Sequence, residues 1–371
     1  MNILIIGSDG FLAKNLFFSI NLNKDLNIFK VNRNTKKYLL EKYLLKCEII
    51  FCLAGINRPK KNENYRDNIK IIKNICNFLE RKKLSKTIVF SSSMQASIKN
   101  LYGNSKKECE DLLIKFAKKL KFKLYIFRLP NIFGKWSKPN YNSVVSTFCY
   151  NISRKKNIKI NNPKKVIKLI YVDEVIKYFL KIIFSNKIQF QKKYFVKINN
   201  VNKITLKKLA NLILSFSKNR NKLIIDNFSN SFKKNLYSTY VSFLPKKEIF
   251  YSLKKNIDSR GVFIEILKSK YFGQVSLFTS KPGISRGFHF HHSKVEKFLV
   301  VKGVANFYSQ DLVTKKKIKK KLVDQKPEII ESLPGQTHYI KNIGNQELMV
   351  VLWSNEIYMK NNPDTYVYEK N

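Results

Sequence analysis

Acidic side chains are in short supply: 25 Asp+Glu stand against 72 Lys+Arg, a formal net charge of +47 over 371 residues. Taken alone, that excess suggests a polyanionic partner, either nucleic acid or anionic lipid. The lysines are spread along the whole chain, however, not gathered in one arm or on one helix face, and Asn and Ile are abundant beside them. An AT-rich genome inflates these three residues together, so neither nucleic acid nor membrane is expected as a partner. A basic surface still attracts a diphosphate-bearing small molecule. Cysteine is sparse and odd in number: Cys47, Cys52, Cys76, Cys109 and Cys149, with no CxxC. That argues against a disulfide framework or a zinc knuckle and for reduced, buried thiols. No apolar run approaches the roughly 18 residues that span a bilayer. The opening "MNILIIGSDGF" has no basic segment before its apolar run, so it reads as a buried strand and not a signal peptide. The expected compartment is the cytoplasm. Internal repeats are lacking, and so is low complexity beyond short lysine runs. Histidine is scarcest of all, with four in the chain: His289, His291, His292 and His338.

What is present is enough for two cores. Hydrophobic residues make up 44% and aromatics 13%, a folded composition at a length that accommodates two domains. The first part alternates short apolar strands ("NILIIG", "IFKV", "EIIFCLAG", "TIVFSSS", "KLYIFRLP") with helical stretches, one from Phe11 to about Ile20 and another from about Thr35. This pattern predicts a parallel sheet with helices on both faces. From about Ile257 the pattern changes to short strands between Gly, Pro and Asn turns, which predicts an antiparallel barrel or sandwich. The polar stretch "SFLPKKEIFYSLKKN" is the expected linker, giving domains at 1–245 and 246–371.

The first strand runs into "GSDGFLA", with Gly7, Gly10 and Ala13 in GxxGxxA spacing. Glycines here let the turn bend sharply and bring phosphate oxygens to the N–H groups that open the next helix, around Phe11 and Leu12. At the end of the second strand, where an NAD site usually has an acid for the ribose hydroxyls, the chain has Asn32 and Arg33. A guanidinium there suits a 2′-phosphate, so NADPH is favoured over NADH. "YGNSK" places Tyr102 and Lys106 one turn apart on one helical face. A cationic lysine is expected to lower the phenol pKa, the phenol to exchange a proton with a carbinol oxygen as hydride moves, and a serine of "SSS" (91–93) to hold that oxygen from the other side.

In the second part, Gly283, His289, His291, Glu296 and Gly303 follow G-x5-HxH-x4-E-x6-G. Strand alternation puts His289 and His291 on one face and Phe290 on the other. The next strand returns Glu296, and His338 in "PGQTHYIKN" arrives from a separate hairpin. Three imidazoles and a carboxylate make a first-row metal site, with Zn²⁺ or another divalent ion expected. His292 falls off the ligand face.

These motifs carry resemblances. "GSDGFLA", "LAGINRP", "SSS", "YGNSK", "RLPNIFGKW" and "YVDEV" resemble an extended short-chain dehydrogenase/reductase acting on nucleotide sugars. The resemblance implies Tyr102 as acid, Lys106 as its partner and Ser93 or Ser92 as carbonyl holder. It also implies cofactor contacts at Gly7, Gly10, Phe11, Leu12, Arg33, Leu53, Ala54, Gly55, Tyr102 and Lys106, and substrate contacts at Arg58 and Asn131. The histidine spacing resembles the first cupin motif and "PGQTHYIKN" the second, except that Pro334 directly abuts Gly335, for which a local change of turn is expected. With "DSRGVFIEILK" and the terminal "NPDTY", essentially the whole chain resembles the CapF-like enzymes of capsular polysaccharide synthesis: a Rossmann-type reductase domain followed by an all-β cupin (jelly-roll) barrel. The family implies C3 epimerisation of a UDP-4-keto-6-deoxy-amino sugar in the barrel, then NADPH-dependent C4 reduction; because sheet-rich cupins often pair, a homodimer is expected. Lys297, Tyr339 and Arg286, beside the ligand positions, stay open as acid and base. The alternatives are a barrel used only for dimerisation or sensing, a basic nucleic-acid-binding protein on a reductase-like scaffold, and a reductase half that has lost its activity.

Overall fold

The computed structural model describes residues 1–59, 64–185, 188–361 and 363–368. The chain forms two compact units, one of Met1–Leu214 with Ser231–Pro245, the other of Ser215–Asn230 with Lys246–Asn371.

The first unit starts with β1 (Asn2–Ile6), α1 (Phe11–Ile20), β2 (Asn27–Val31), α2 (Lys37–Lys46), β3 (Ile49–Cys52), α3 (Arg66–Arg81), β4 (Thr87–Ser93), α4 (Leu101–Leu120) and β5 (Lys123–Leu129). It continues through β6 (Asn131–Phe133), α5 (Val144–Ile152), β7 (Val166–Tyr171), α6 (Val172–Phe184), β8 (Phe190–Lys192), β9 (Phe195–Val196) and β10 (Asn202–Thr205). The main sheet has the order β2-β1-β3-β4-β5-β9-β8, and β1 to β5 run parallel. Alternation along each strand feeds both faces: Ile3 and Ile5 pack with α1 and α6, whereas Leu4 and Ile6 pack with α2, α3 and α4. The chain runs from β1 out to β2 and then returns to the other side of β1 as β3. A topological switch point therefore lies between β1 and β3, where open α/β sheets bind ligands beyond the carboxyl ends of their strands. All five cysteines are free and buried, and burial pushes the thiols up, Cys47 and Cys109 to about 11, as expected of inert core thiols.

In the second unit, every strand pairing is antiparallel: β11 (Lys255–Asp258), β12 (Gly261–Ser269), β13 (Gly273–Ser280), β14 (Ser285–Phe290), β15 (Glu296–Lys302), β16 (Val304–Asp311), β17 (Lys317–Val323), β18 (Ile329–Ser332), β19 (Gln336–Asn342), β20 (Leu348–Ser354) and β21 (Tyr366–Val367). They form two sheets, β11-β12-β13-β20-β15-β18 and β17-β16-β19-β14-β21. Phe278, Phe298, Val300, Phe307, Ile340 and Val350 fill the core between them. This is the cupin-like barrel that the turn-punctuated sequence implied. No helix among the described residues is long and apolar enough to cross a membrane.

Candidate active site and candidate metal centre

The glycine turn stands at the switch point. Gly7 adopts φ +86, and a Cβ on it would lie 2.6 Å from Ala54 Cα, so the turn after β1 requires glycine for both backbone angle and close approach. The N–H groups of Gly7 and Ser8 are satisfied by Val31 O. The donors that remain belong to the first turn of α1, at Phe11, Leu12 and Ala13, which have no intrahelical acceptor. No acidic side chain stands in that turn, so its free N–H groups suit a phosphate. Leu53 N donates to Ile6 O, which holds Leu53–Gly55 beside the glycine turn. Buried Asn68 braces the loop from α3, accepting from Ile56 N at 2.7 Å and donating to Ile56 O and Ser105 Oγ. Arg33 is exposed at the end of β2.

The Tyr–Lys pair sits on α4. Asn100 caps that helix by accepting from Gly103 N, and a Cβ at Gly103 would lie 2.2 Å from Gln95 O. "YGNSK" therefore contains a glycine because this helix start packs backbone to backbone against the Met94–Ser97 turn. Lys106 is buried; its Nζ donates to Ser91 O at 2.9 Å and lies against Gly55. Burial lowers its pKa. Tyr102 departs from the sequence reading: burial pushes its phenol up to about 12, opposed by a hydrogen bond with Ser93. The Lys106 ammonium is turned onto a backbone carbonyl. The phenol stays protonated at neutral pH, which suits a proton donor.

The choice between Ser92 and Ser93 follows from strand alternation. Ser92 Oγ donates to buried Glu110, which Arg128 also clasps at 2.9 and 2.6 Å. Ser93, one residue on, faces Tyr102. A cleft of about 560 Å³ opens beside Tyr102, lined by Asn57, Arg58, Tyr65, Gln95, Leu101 and Tyr102 among others. Arg58 thus lines the same cleft as Tyr102. Asn131 is exposed, its amide donating to Lys168 O, and is not among the lining residues.

In the barrel, the ligand atoms of His289, His291, Glu296 and His338 lie within 4.8 Å of one another. Glu296 Oε2 stands 3.1 Å from His338 Nε2, 3.3 Å from His291 Nε2 and 3.9 Å from His289 Nε2. Glu296 begins β15 in one sheet, while His289 and His338 are cross-strand partners in the other. A β-bulge at Phe288, with φ +60, makes that pairing. The turn where Pro334 abuts Gly335 takes φ +76 at the glycine, and its N–H donates to His291 O; His338 keeps its place in the cluster. His292 is exposed.

Burial alone would raise Glu296, but three crowding imidazoles and the Lys294 ammonium hold it well below the usual carboxylate range. His338 is shifted down, chiefly by burial, toward the neutral imidazole that ligates metals. His289 Nε2 and His291 Nε2 are buried without a hydrogen-bond partner, a costly arrangement unless a cation takes up the lone pairs. This N₃O donor set fits Zn²⁺ or another divalent first-row ion.

Two functional positions escaped the sequence reading. Lys294 is buried, with Nζ 3.2 Å from Glu296 Oε1; it sits two residues before Glu296, and strand periodicity could have placed it on the same face. Asp364, in "NPDTY" (whose Asn362 lies outside the described residues), accepts from His292 N, Ser293 N, Ser293 Oγ and Lys294 N. Its carbonyl lies 2.6 Å from His291 Nδ1, so Nδ1–H donates there and Nε2 is left to face the cluster. Asp364→Ala should weaken metal retention by about tenfold or more, measured by competition against a chromogenic chelator; unchanged retention would contradict this role. Of the acid–base candidates, Arg286 lines the cavity beside the cluster. Lys297 pairs instead with Glu331, and Tyr339 stacks on Phe288 and Tyr308.

A glycine turn at a switch point with Ser, Tyr and Lys beyond it defines a nicotinamide-dependent oxidoreductase of the short-chain type. Comparison with known proteins agrees: residues 3–194 match the NAD dependent epimerase/dehydratase family, and residues 256–366 the polysaccharide biosynthesis C-terminal domain. The chain is 37% identical to the UDP-2-acetamido-2,6-beta-L-arabino-hexul-4-ose reductase of Pseudomonas aeruginosa, over 99% of this chain and 98% of that one. It is 38% identical to the crystal structure of the capsular polysaccharide assembling protein CapF from Staphylococcus aureus, with a TM-score of 0.93 and 100% of both chains covered. UDP-glucuronic acid 4-epimerase of Bacillus cereus, at 13% identity and TM-score 0.53, shares the fold of the first unit. The chain therefore belongs to the NAD dependent epimerase/dehydratase family and, within it, to the CapF-like enzymes that join such a domain to a C-terminal β-barrel.

Proposed function

We propose that the chain performs two steps in series on a UDP-4-keto-6-deoxy-N-acetylhexosamine. The barrel inverts C3; the first unit then reduces C4 with NADPH. The product is UDP-2-acetamido-2,6-dideoxy-β-L-talose, for a capsule or O-antigen containing N-acetyl-L-fucosamine, and the working form is a cytoplasmic homodimer. The observation that carries this reading is the convergence of His289, His291, Glu296 and His338 in a cavity, in the same chain as Ser93, Tyr102 and Lys106. The substrate class rests on the full-length relative named as a reductase of such a UDP-4-keto sugar.

When bound, a divalent ion held by the three imidazoles and Glu296 supplies Lewis acidity toward a ketone oxygen, and NADPH supplies a hydride. The chain's own groups do the rest. The C3–H proton is acidic only while C4 is a ketone, because the electron pair it leaves behind must delocalise onto O4. A base in the lumen takes that proton and an acid returns one to the opposite face, with no net redox change. In the cleft, Ser93 holds O4 and Tyr102 Oη gives it a proton as hydride reaches C4. Lys106 and the Leu53–Gly55 backbone orient the cofactor, and Arg33 meets its 2′-phosphate. Reduction removes the ketone and fixes the new C3 configuration, so inversion comes first.

Incubating the enzyme with the 4-keto substrate in D₂O, without NADPH, tests the reading. Deuterium should enter C3, followed by NMR. A metal-loaded enzyme that leaves C3 protiated would reduce the barrel to a dimerisation or sensing module.

A further inference from the structure

Two guanidinium groups stand in the wall of the barrel cavity and the chemistry above gives them no role. Arg260 and Arg286 line the same cavity, of about 370 Å³, as His289, Glu296 and His338. Strict alternation along β14 would set Arg286 and His289, three residues apart, on opposite faces. The bulge at Phe288 cancels that: Arg286 pairs with Ile340 and His289 with His338, and both partners also line the cavity. Those partners are two residues apart, so the guanidinium root and the imidazole lie about 7 Å apart along the strand.

Arg286 is held for this task. Its side chain is 11% exposed, its Nε donates to Thr279 O at 2.8 Å, and its NH2 reaches Asp258 at 3.4 Å. Asp258 also accepts two bonds from the Arg260 guanidinium, at 3.1 and 2.7 Å, and one from its backbone N–H. One carboxylate thus aligns two cations and leaves the trio net positive. Of the two acids that line the cavity, Glu296 belongs to the His–Glu cluster and Glu265 is taken up by Lys268 at 2.8 Å and by Gln274 at 3.3 Å. Bidentate guanidinium donors match phosphate oxygens.

We propose that Arg286 and Arg260, aligned by Asp258, form a diphosphate-binding subsite in the barrel that anchors a nucleoside-diphosphate sugar with its ring laid across to the His–Glu cluster. This rests on the proposed inversion at C3. It adds that the chain holds two separate nucleotide-diphosphate sites, one in each unit. The barrel site reads the diphosphate rather than the base, so uridine alone does not occupy it.

The test is titration of the full-length, metal-loaded protein with UDP at physiological ionic strength, with uridine and inorganic pyrophosphate as comparison probes. Two UDP equivalents per chain are expected. Arg286→Gln should reduce this to one, and Arg260→Gln, at an exposed turn, should weaken the second site about tenfold or more while the fold stays intact. Pyrophosphate should compete at the site the variants lose. A single equivalent in the unaltered protein, or two equivalents with unchanged affinity in both variants, would overturn the subsite. Deuterium exchange at C3 separates the two claims. Exchange that persists in both variants with unchanged KM sinks the subsite and leaves the inversion standing. Lack of exchange in the unaltered protein, with the UDP stoichiometry as expected, sinks the inversion and leaves the subsite.

Discussion

Tyr102→Phe should lower the rate of NADPH oxidation with the 4-keto substrate by about 10³-fold or more, the scale of a lost general acid. In the proposed reduction the phenol is the proton source for O4, and its raised pKa of about 12 keeps it protonated through the neutral range. Removing one oxygen leaves the helix start, the Asn100 cap and the packing at Gly103 in place, so the variant should melt like the parent. C3 exchange should continue at the parent rate, since the barrel does not use this residue. Ser93→Ala should show a smaller drop of the same kind, whereas Ser92→Ala acts on the Glu110–Arg128 clasp and should register in stability first. A Tyr102→Phe enzyme that oxidises NADPH normally would mean the pair is not catalytic.

His338→Ala should abolish C3 exchange to background and release the metal, with the opposite selectivity: NADPH-dependent reduction of a substrate already inverted at C3 should survive. His338 is buried between Phe298 and Phe307, so the alanine variant also leaves a void. Glu296→Gln keeps the volume and should give the same loss of exchange and metal. It removes the one anionic ligand and leaves Lys294 facing a neutral amide. Metal content by elemental analysis and C3 exchange by NMR should fall together. If metal is lost and exchange persists, the ion is structural.

Much of this was legible in the sequence because short-range periodicity carries it. The strand–turn–helix at Gly7, the helical face shared by Tyr102 and Lys106, and the HxH pair each follow from spacing alone. Strand parity could have decided more. Tyr339 lies one residue from His338 and Lys297 one from Glu296, so both side chains leave the lumen, and Lys294 at two residues enters it. The same rule separates Ser92 from Ser93 once one of them is fixed. Parity fails at the bulge of Gly287 and Phe288, both at positive φ, which brings Arg286 and His289 to one face. Gly287 is a local hint of such a bulge, but the register it sets depends on pairing with β19. Asp364 was hidden for the same reason: its partners lie about seventy positions earlier in the chain. Spacing puts Tyr102 and Lys106 on one face but does not show that the ammonium turns to Ser91 O.

The most direct test is one complete turnover in D₂O with protiated NADPH and NMR of the isolated product. Inversion followed by reduction predicts a talo product carrying deuterium at C3 and cofactor-derived protium at C4. A reduced product with protium still at C3 would show that hydride arrived with no proton exchange before it, and would contradict the two-step account.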